Sequence, residues 1–377
     1  MKYCDIIFKK VGDVMPSTVT HSYFIMDIYD KLPLDKKIFL KDQKNNMKAF
    51  AQSTDSLNFY ISCNLKKSKK IRKFASFFHT HKTGEFLITL TNYIKYNYYK
   101  DNPEVMAFLY SMISHYILDS ELHPFIYYKT GNFNRKDKTT YKYNSKHHFM
   151  ETYIDKYLIS IREKMNPYKY KHYKEIFNYN EFTKELSDVI NFSFKETFNT
   201  TNFAKEYNLS LKRMKLAFKI LRYDPHGFKS KLYNAIDLIS PKKTPKISFL
   251  SYYYKCKNNN YLNTDHKKWT YPVNKSKKYT SSFTDLYIKA LSDAIKVIEE
   301  VNEYIYNNKK INLEKLFKDN SYTTGISTKK DQTMIYFEDW FATYIVCKSF
   351  LLLVQVTKIK IRFPFCLDIS IWPDFFW

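Results

Sequence analysis

The sequence predicts an all-α protein, and three observations lead to that class. Only 5 of the 377 residues are glycine, so the glycine-rich phosphate loops and tight hairpin arrays of other fold classes lack the residue they need. Hydrophobic residues make up 44% of the chain, which is enough for a buried core and excludes general disorder. Apolar residues also recur at helical spacing along most of the chain. We therefore expect a multi-helical bundle.

Helical periodicity predicts the elements in chain order. The predicted helices are 20–32, 83–99, 103–123, 147–165, 182–198, 211–223 and 285–306. We expect Pro124 to end the third of these, because proline lacks the N–H group that would continue the helix. The polar stretch 131–146 is predicted as a loop, and the Lys- and Asn-rich stretch 240–282 as an irregular surface excursion. Trp269 either packs that excursion onto the helices or contacts a substrate. Three histidines in polar stretches are predicted to be exposed: His172, His226 and His266.

The formal net charge of +25 favours anionic partners, which include nucleic acid, acidic lipid headgroups and phosphorylated substrates. The five cysteines are widely spaced and form no CxxC motif, which argues against a disulfide framework and a thiolate zinc site. The first residues, MKYCDIIFKKVGDVMPS, lack the apolar run of a secretory signal. We therefore expect a cytoplasmic protein, with peripheral attachment to a membrane as an open alternative.

The helix 103–123 combines an apolar circumference with an unusual stripe of ligand-type side chains. His115, Asp119 and His123 follow one another at intervals of four residues, so they share one narrow face of the helix. Burying a carboxylate without a partner costs on the order of several kcal/mol. A His115–Asp119 pair would avoid this cost. That pairing does not explain the second imidazole on the same stripe.

The next predicted helix repeats this arrangement. His147 and Glu151 are four residues apart, and Asp155 continues their stripe. Imidazole nitrogen and carboxylate oxygen are the ligands that Zn²⁺ takes in catalytic sites. The two helices therefore predict a metal cluster between them.

The ordered set of these motifs resembles the zinc-dependent phospholipase C family. The run HYILDSELHP (115–124), followed by HHFME (147–151), is similar to that family's His-x3-Asp, His-Pro and His-x3-Glu signature. Five further segments fit the resemblance: THSYFIMD (20–27), STDSLNFY (53–60), FFHTHKT (77–83), DHKKWTYP (265–272) and FTDLYIKALSDAIKVIE (283–299). The last two resemble non-secreted bacterial members. The resemblance covers most of the chain up to about Asp339.

The resemblance implies a helical fold, similar also to single-strand zinc nucleases, with two or three zinc ions in one cleft. His21 would bind an outer ion, for which secreted members also use an amino-terminal tryptophan that this chain lacks. The second ion would be held by Asp55, His79, His115 and Asp119, with Asp119 bridging to the outer ion. The third would be held by His123, His147 and Glu151. His81 is the alternative to His79 as a metal ligand. Asp55 is also a candidate catalytic proton acceptor.

The chain is expected to divide into three parts. Residues 1–200 form the helical catalytic core, and residues 201–339 form a helical extension packed on it. Residues 340–377 form a hydrophobic, aromatic tail, for which a packed helix, an interfacial anchor and an accidental tail stay open.

The resulting functional hypothesis is a zinc-dependent phosphodiester hydrolase of the phospholipase C type, in which activated water attacks a phosphodiester. Its expected partners are a phospholipid or another phosphodiester substrate, with an anionic membrane surface as a further candidate. One alternative is a zinc nuclease acting on single-stranded nucleic acid, which the positive charge would suit. The other is a non-catalytic, metal-bound basic protein that binds an anionic partner.

Overall fold

The computed structural model describes residues 18–253 and 260–338, and helices dominate this part of the chain, as the sequence predicts. The α-helices are α1 (Thr18–Lys31), α2 (Leu34–Leu40), α3 (Lys44–Phe50), α4 (Leu65–Phe78), α5 (Thr83–Tyr96), α6 (Pro103–Thr130), α7 (Lys146–Arg162), α8 (His172–Glu175), α9 (Lys184–Phe198), α10 (Phe203–Ala217), α11 (Phe228–Ile239), α12 (Phe283–Tyr306) and α13 (Leu313–Phe317). A 3₁₀ turn spans Ser53–Phe59, and a π turn spans Phe218–Arg222. The predicted tail, 340–377, lies outside the described residues.

Helix α6 is the central element, and its side chains are buried along almost its whole length. It packs against α1, α3, α5, α7 and α12. Its start is fixed by Asn102, whose side chain accepts hydrogen bonds from the backbone N–H groups of Glu104 and Val105. Pro103 occupies the first helical position, where a missing N–H costs nothing. The helix therefore carries any side chain on its inner faces into the middle of the bundle.

The expectation that Pro124 ends this helix is wrong, because α6 continues for six residues to Thr130. Proline removes the hydrogen bond that would reach back to the carbonyl of Ser120, and its ring crowds that carbonyl. The chain at Gly325 approaches that carbonyl so closely that a Cβ there would lie 2.2 Å from the Ser120 oxygen. Gly325 also has φ +68°, which favours glycine. Tertiary packing thus outweighs the local effect of the proline.

The excursion at 240–282 is not wholly irregular. Trp269–Tyr271 and Asn274–Tyr279 form an antiparallel hairpin, β1 and β2. Trp269 is buried, with its ring 5.4 Å from Phe125 of α6 and its indole N–H donating to the carbonyl of Ser281. Of the two roles open to this tryptophan, the structure shows packing.

The prediction of an exposed His172 is also wrong, whereas His226 and His266 are exposed as predicted. The imidazole of His172 is buried among aromatic rings, with centroids 4.6 Å from Tyr252 and 4.9 Å from Tyr170. Burial and the positive charge of Arg222 lower its pKa well below the usual range. The polar local sequence concealed this position because its aromatic neighbours come from distant segments.

The buried His172 predicts a pH-dependent loss of stability. In the unfolded chain its pKa is near ~6.5, so below that pH the unfolded state takes up a proton that the folded state excludes. The free energy of unfolding should therefore fall as pH drops below ~6.5, by up to roughly 1.4 kcal/mol per pH unit from this group. In urea titrations from neutral pH downwards, His172→Phe should show a shallower pH dependence than the wild type. Parallel curves for the two proteins would contradict the assignment.

Candidate metal centre

Five segments that are distant in sequence bring the predicted site residues to one place. Helix α1 carries His21, the 3₁₀ turn Ser53–Phe59 carries Asp55, and His79 caps the end of α4. Helices α6 and α7 carry the remaining residues: His115, Asp119, His123, His147 and Glu151. All of these side chains are buried except that of His147, which is partly exposed.

Three groups of ligand-type atoms form within this cluster. In each group, one nitrogen or oxygen atom from every residue lies within 4.8 Å of the others. The groups are His21, Asp55 and His115; His79, His115 and Asp119; and His123, His147 and Glu151. Together they contain all eight residues that the sequence singled out as candidate metal ligands.

Asp119 lies beside residues of the first two groups, although only the second group contains it. Its Oδ1 is 3.2 Å from Nε2 of His21, and its Oδ2 is 3.1 Å from Nε2 of His115. The Nε2 of His79 is 2.9 Å from Oδ1 of Asp55 and 4.0 Å from Oδ2 of Asp119. The two carboxylates therefore face the same three imidazoles, and Asp119 is placed to be shared between two sites.

Glu151 organises the third group. Its Oε1 lies 3.0 Å from Nε2 of His147 and 3.6 Å from Nε2 of His123. Since His123 is on α6 and the other two residues are on α7, this group joins the two helices that the sequence predicts to share a metal.

Several of the converging atoms are buried without a hydrogen-bond partner among the described residues: Asp55 Oδ1, His79 Nε2, His115 Nε2, Asp119 Oδ2 and Glu151 Oε2. Lone pairs that face each other in a buried place are costly unless a proton or a cation lies between them. Two ligands at ~2.0–2.1 Å from one tetrahedral Zn²⁺ are about 3.3 Å apart, close to the separations seen here. The residues present thus fit zinc.

Backbone carbonyls fix the orientation of three of the imidazoles. In each, the Nδ1–H group donates to a carbonyl oxygen, which leaves Nε2 as the nitrogen directed at the cluster. The pairs are His79 with Ala75 at 2.7 Å, His115 with Ala51 at 2.9 Å, and His123 with Tyr322 at 2.8 Å. This is the usual supporting arrangement of histidines that bind metal through Nε2.

Electrostatics shows that the site is built to hold positive charge. Burial alone would raise the pKa of Asp119, but the charges of the surrounding imidazoles outweigh burial and hold that pKa well below its usual range. The pKa of Glu151 is lowered in the same way against the effect of burial. Burial would lower the pKa of His123, yet Asp119 and Glu151 raise it to about 9. The acids therefore stay ionised and attract cations.

Nearby candidates take other roles. His81 is exposed and stacks on Phe77 at 4.2 Å, outside the cluster, so His79 is the one that enters it. His148 stacks on Phe249, with its Nδ1 3.8 Å from Glu151. Asp155, which continues the stripe of α7, instead accepts hydrogen bonds from the backbone N–H and hydroxyl of Thr20. It fixes the start of α1, the helix that carries His21.

Sequence reasoning missed one contributor, the segment around Tyr322. Its backbone N–H donates to the carbonyl of His79 at 2.8 Å, and its carbonyl accepts from His123. Its fully buried ring lies 5.2 Å from His79 and 5.3 Å from His115. Nothing in SYTTG (321–325) is typical of a metal site. The available signal was Gly325, one of only five glycines, which allows the segment to approach α6.

A cleft of about 270 Å³ opens beside the metal centre. It is lined by Asn58, Ser76, His79, Thr80, Tyr127, Gly131, Asn132, Phe133, Tyr143, Asn144, Ser145, His147, His148, Pro245 and Thr323. Apart from the imidazoles, the side chains in this lining are neutral. The ring of Tyr127 is 4.7 Å from that of His147, so an aromatic wall adjoins the third group. A small substrate in the cleft would reach the metal centre directly.

The central position of Asp119 predicts a specific loss of metal. Asp119→Asn removes the charge that faces four imidazoles, so this variant should bind at least one zinc fewer per chain than the wild type. Elemental analysis of protein purified without chelator measures the stoichiometry. Glu299→Gln, an exposed change on α12, is the control and should leave it unaltered. Equal zinc content in Asp119→Asn and the wild type would contradict this role.

The position of Tyr322 predicts an effect on zinc affinity. Tyr322→Ala removes the ring that packs on His79 and His115, and we expect zinc affinity about tenfold lower, as for other residues that support metal ligands. Tyr322→Phe keeps the ring and the backbone contacts and should bind zinc nearly as tightly as the wild type. Competition with a chromogenic chelator measures both, with circular dichroism verifying the fold. A folded Tyr322→Ala with unchanged affinity would show that the ring does not support the ligands.

Comparison with known proteins agrees with this geometry. Residues 20–201 match the family model of zinc dependent phospholipase C. Neither the curated proteins nor the solved structures contain a match. The matched range contains all eight residues of the three groups, whereas Tyr322 lies beyond it. Residues 20–201, just under half of the chain, are therefore similar to the zinc-dependent phospholipase C family of phosphodiesterase hydrolases.

Proposed function

We propose that this chain hydrolyses the phosphodiester bond of a phospholipid with two or three zinc ions held by the eight clustered residues. The observation that carries the proposal is the convergence of three buried His and carboxylate groups beside one open cleft. The similarity of residues 20–201 to zinc-dependent phospholipase C supports the phospholipid substrate class. The similarity of residues 265–299 to non-secreted bacterial members stays a prediction.

The proposed ligand sets use the same eight residues as the three groups, but they assign Asp55 to the ion held by His79, which it contacts. Asp55, His79, His115 and Asp119 hold one ion, and Asp119 is shared with a second ion beside His21. His123, His147 and Glu151 hold the third. When bound, zinc lowers the pKa of coordinated water and neutralises charge that develops on the phosphate.

Asp55 has a second proposed role as the proton acceptor for the attacking water. Its Oδ1 lies 2.9 Å from Nε2 of His79, and both His79 and Asn58 of the turn Ser53–Phe59 line the cleft. A general base must reach the proton that it removes, and this position brings the carboxylate near the cleft. Asp119 is less suited to the task because imidazoles face both of its oxygens.

The cleft also favours a headgroup class. Tyr127, Phe133 and Tyr143 contribute aromatic rings to its walls. Aromatic faces attract quaternary ammonium groups through cation–π interactions. A choline headgroup is therefore our preferred substrate feature.

A nuclease activity on single-stranded nucleic acid is the second candidate. The net charge of +25 and the aromatic wall of the cleft favour it, because phosphates and stacked bases would use both. A non-catalytic basic binding protein would keep the metal but show no turnover.

The proposal predicts zinc-dependent turnover of a chromogenic choline phosphodiester. Wild-type protein should release the chromophore, lose the activity when treated with chelator, and regain it when zinc is added. His115→Ala should lose at least about a hundredfold in rate, because it removes a ligand from two groups. The exposed neighbour variant His81→Ala should retain the wild-type rate. Turnover of single-stranded DNA in place of the choline ester would favour the nuclease, and full activity of His115→Ala would refute the assigned centre.

A further inference from the structure

Helix α11 presents an apolar stripe to solvent rather than to the core. At 100° per residue, Phe228, Leu232, Ala235 and Ile239 fall within a band of about 60°. The exposed fractions are 73% for Phe228, 56% for Leu232 and 83% for Ile239, and Leu238 beside them is 87% exposed. The opposite face packs on the protein through buried Ser230 and Tyr233. An amphipathic helix in this orientation has its apolar side available for a partner.

The surroundings of this stripe are basic. Residues 212–246 contain ten lysines and arginines but only two acids, Asp224 and Asp237. Asp224 accepts hydrogen bonds from the backbone of Ser230 and from the hydroxyl of Ser251. Asp237 accepts from the backbone N–H groups of residues 247 and 248. Both acids are thus engaged with the protein, and the other charged side chains of residues 212–246 are positive.

A short loop, 240–246, joins α11 to the rim of the metal cleft. The side chain of Asn144 donates to the carbonyls of Lys242 and Thr244 at 2.9 Å and 2.7 Å. The backbone N–H of Lys246 donates to the hydroxyl of Ser145 at 2.8 Å. Asn144, Ser145 and Pro245 of this contact line the cleft itself. A partner bound along α11 would therefore lie next to the cleft mouth.

We propose that α11 and the loop 240–246 form a docking surface for an anionic phospholipid bilayer, which we term the α11 surface. This inference deepens the proposed function, because it names the phase from which the cleft would draw its substrate. Exposed aliphatic and aromatic side chains flanked by lysines are the composition of helices that lie in a membrane interface. No helix within residues 18–253 and 260–338 has the length and apolar character needed to cross a bilayer.

Lipid explains the α11 surface better than nucleic acid does. Lysines would attract the phosphates of either partner. Exposed aliphatic side chains contribute little to the binding of nucleic acid, because its bases are bound by stacking on aromatic rings and by hydrogen bonds. Leu232, Leu238 and Ile239 provide neither, whereas each would gain by entering the acyl region of a bilayer.

The apolar contribution is tested by co-sedimentation of the full chain with vesicles of phosphatidylcholine and phosphatidylserine. Phe228→Ser with Leu232→Ser should weaken binding about tenfold, because two side chains lose their transfer into the bilayer. Leu34→Ser with Ile38→Ser on α2 is the matched control, since these residues are four apart and 72% and 59% exposed. That control should bind like the wild type. Equal weakening by both pairs would overturn the proposal.

The charge contribution is tested with a second matched pair. Lys242→Glu with Lys243→Glu should abolish the preference for vesicles containing phosphatidylserine over pure phosphatidylcholine. Lys309→Glu with Lys310→Glu, two exposed neighbouring lysines in another loop, changes the net charge equally and should keep the preference. Loss of the preference in both pairs would show that overall charge, rather than the α11 surface, attracts lipid.

Turnover measurements separate this proposal from the proposed function. The Phe228 and Leu232 pair should hydrolyse a soluble choline phosphodiester at the wild-type rate but hydrolyse vesicle phospholipid about tenfold more slowly. A wild type that turns over the soluble ester without binding vesicles would overturn the docking proposal alone. Vesicle binding by α11 without any turnover would overturn the proposed function alone.

Two further outcomes would assign the α11 surface to another partner. A change in the sedimentation coefficient of the variant without lipid would assign the stripe to a second copy of the chain. Displacement of vesicles by single-stranded DNA would assign it to nucleic acid, and either outcome would overturn the docking proposal.

Discussion

Asp119 is an ionised carboxylate buried at the middle of the bundle, and this arrangement requires positive charge around it. Its helix could not carry such a group through the core without compensation, because a buried unpaired charge is strongly destabilising. The compensation comes from imidazoles on α1, α4 and α6, whose free nitrogens also point at Asp55 and at one another. The packing of these helices is thus linked to the presence of protons or metal ions between them.

The supporting structure is arranged around the same requirement. Carbonyl groups from three separate segments hold the imidazoles of His79, His115 and His123 with Nε2 directed inward. Asp155 fixes the start of α1 through Thr20, and so positions the helix that carries His21. The segment around Tyr322 binds His79 and His123 at once, and thereby joins the later part of the chain to the centre. Residues well outside the range of the family match therefore take part in the site.

Much of the site could be predicted because its pattern is local. The one-turn spacing of His115, Asp119 and His123 predicted a shared face, and the resemblance supplied the partners on other segments, all of which the structure brings together. The burial of His172 and the continuation of α6 past Pro124 could not be predicted in this way. Both depend on contacts with distant segments, which periodicity and local propensity do not record. The role of Tyr322 depends on its backbone groups, which leave no signature in the sequence.

The most direct test of the account is a crystal structure of the zinc-loaded protein with anomalous scattering recorded on both sides of the zinc absorption edge. We expect separate zinc peaks among the three groups, each about 2.0–2.2 Å from its nitrogen and oxygen ligands, with Asp119 contacting two of the ions. Zinc peaks at surface histidines such as His226 or His266, with none between α6 and α7, would contradict the account.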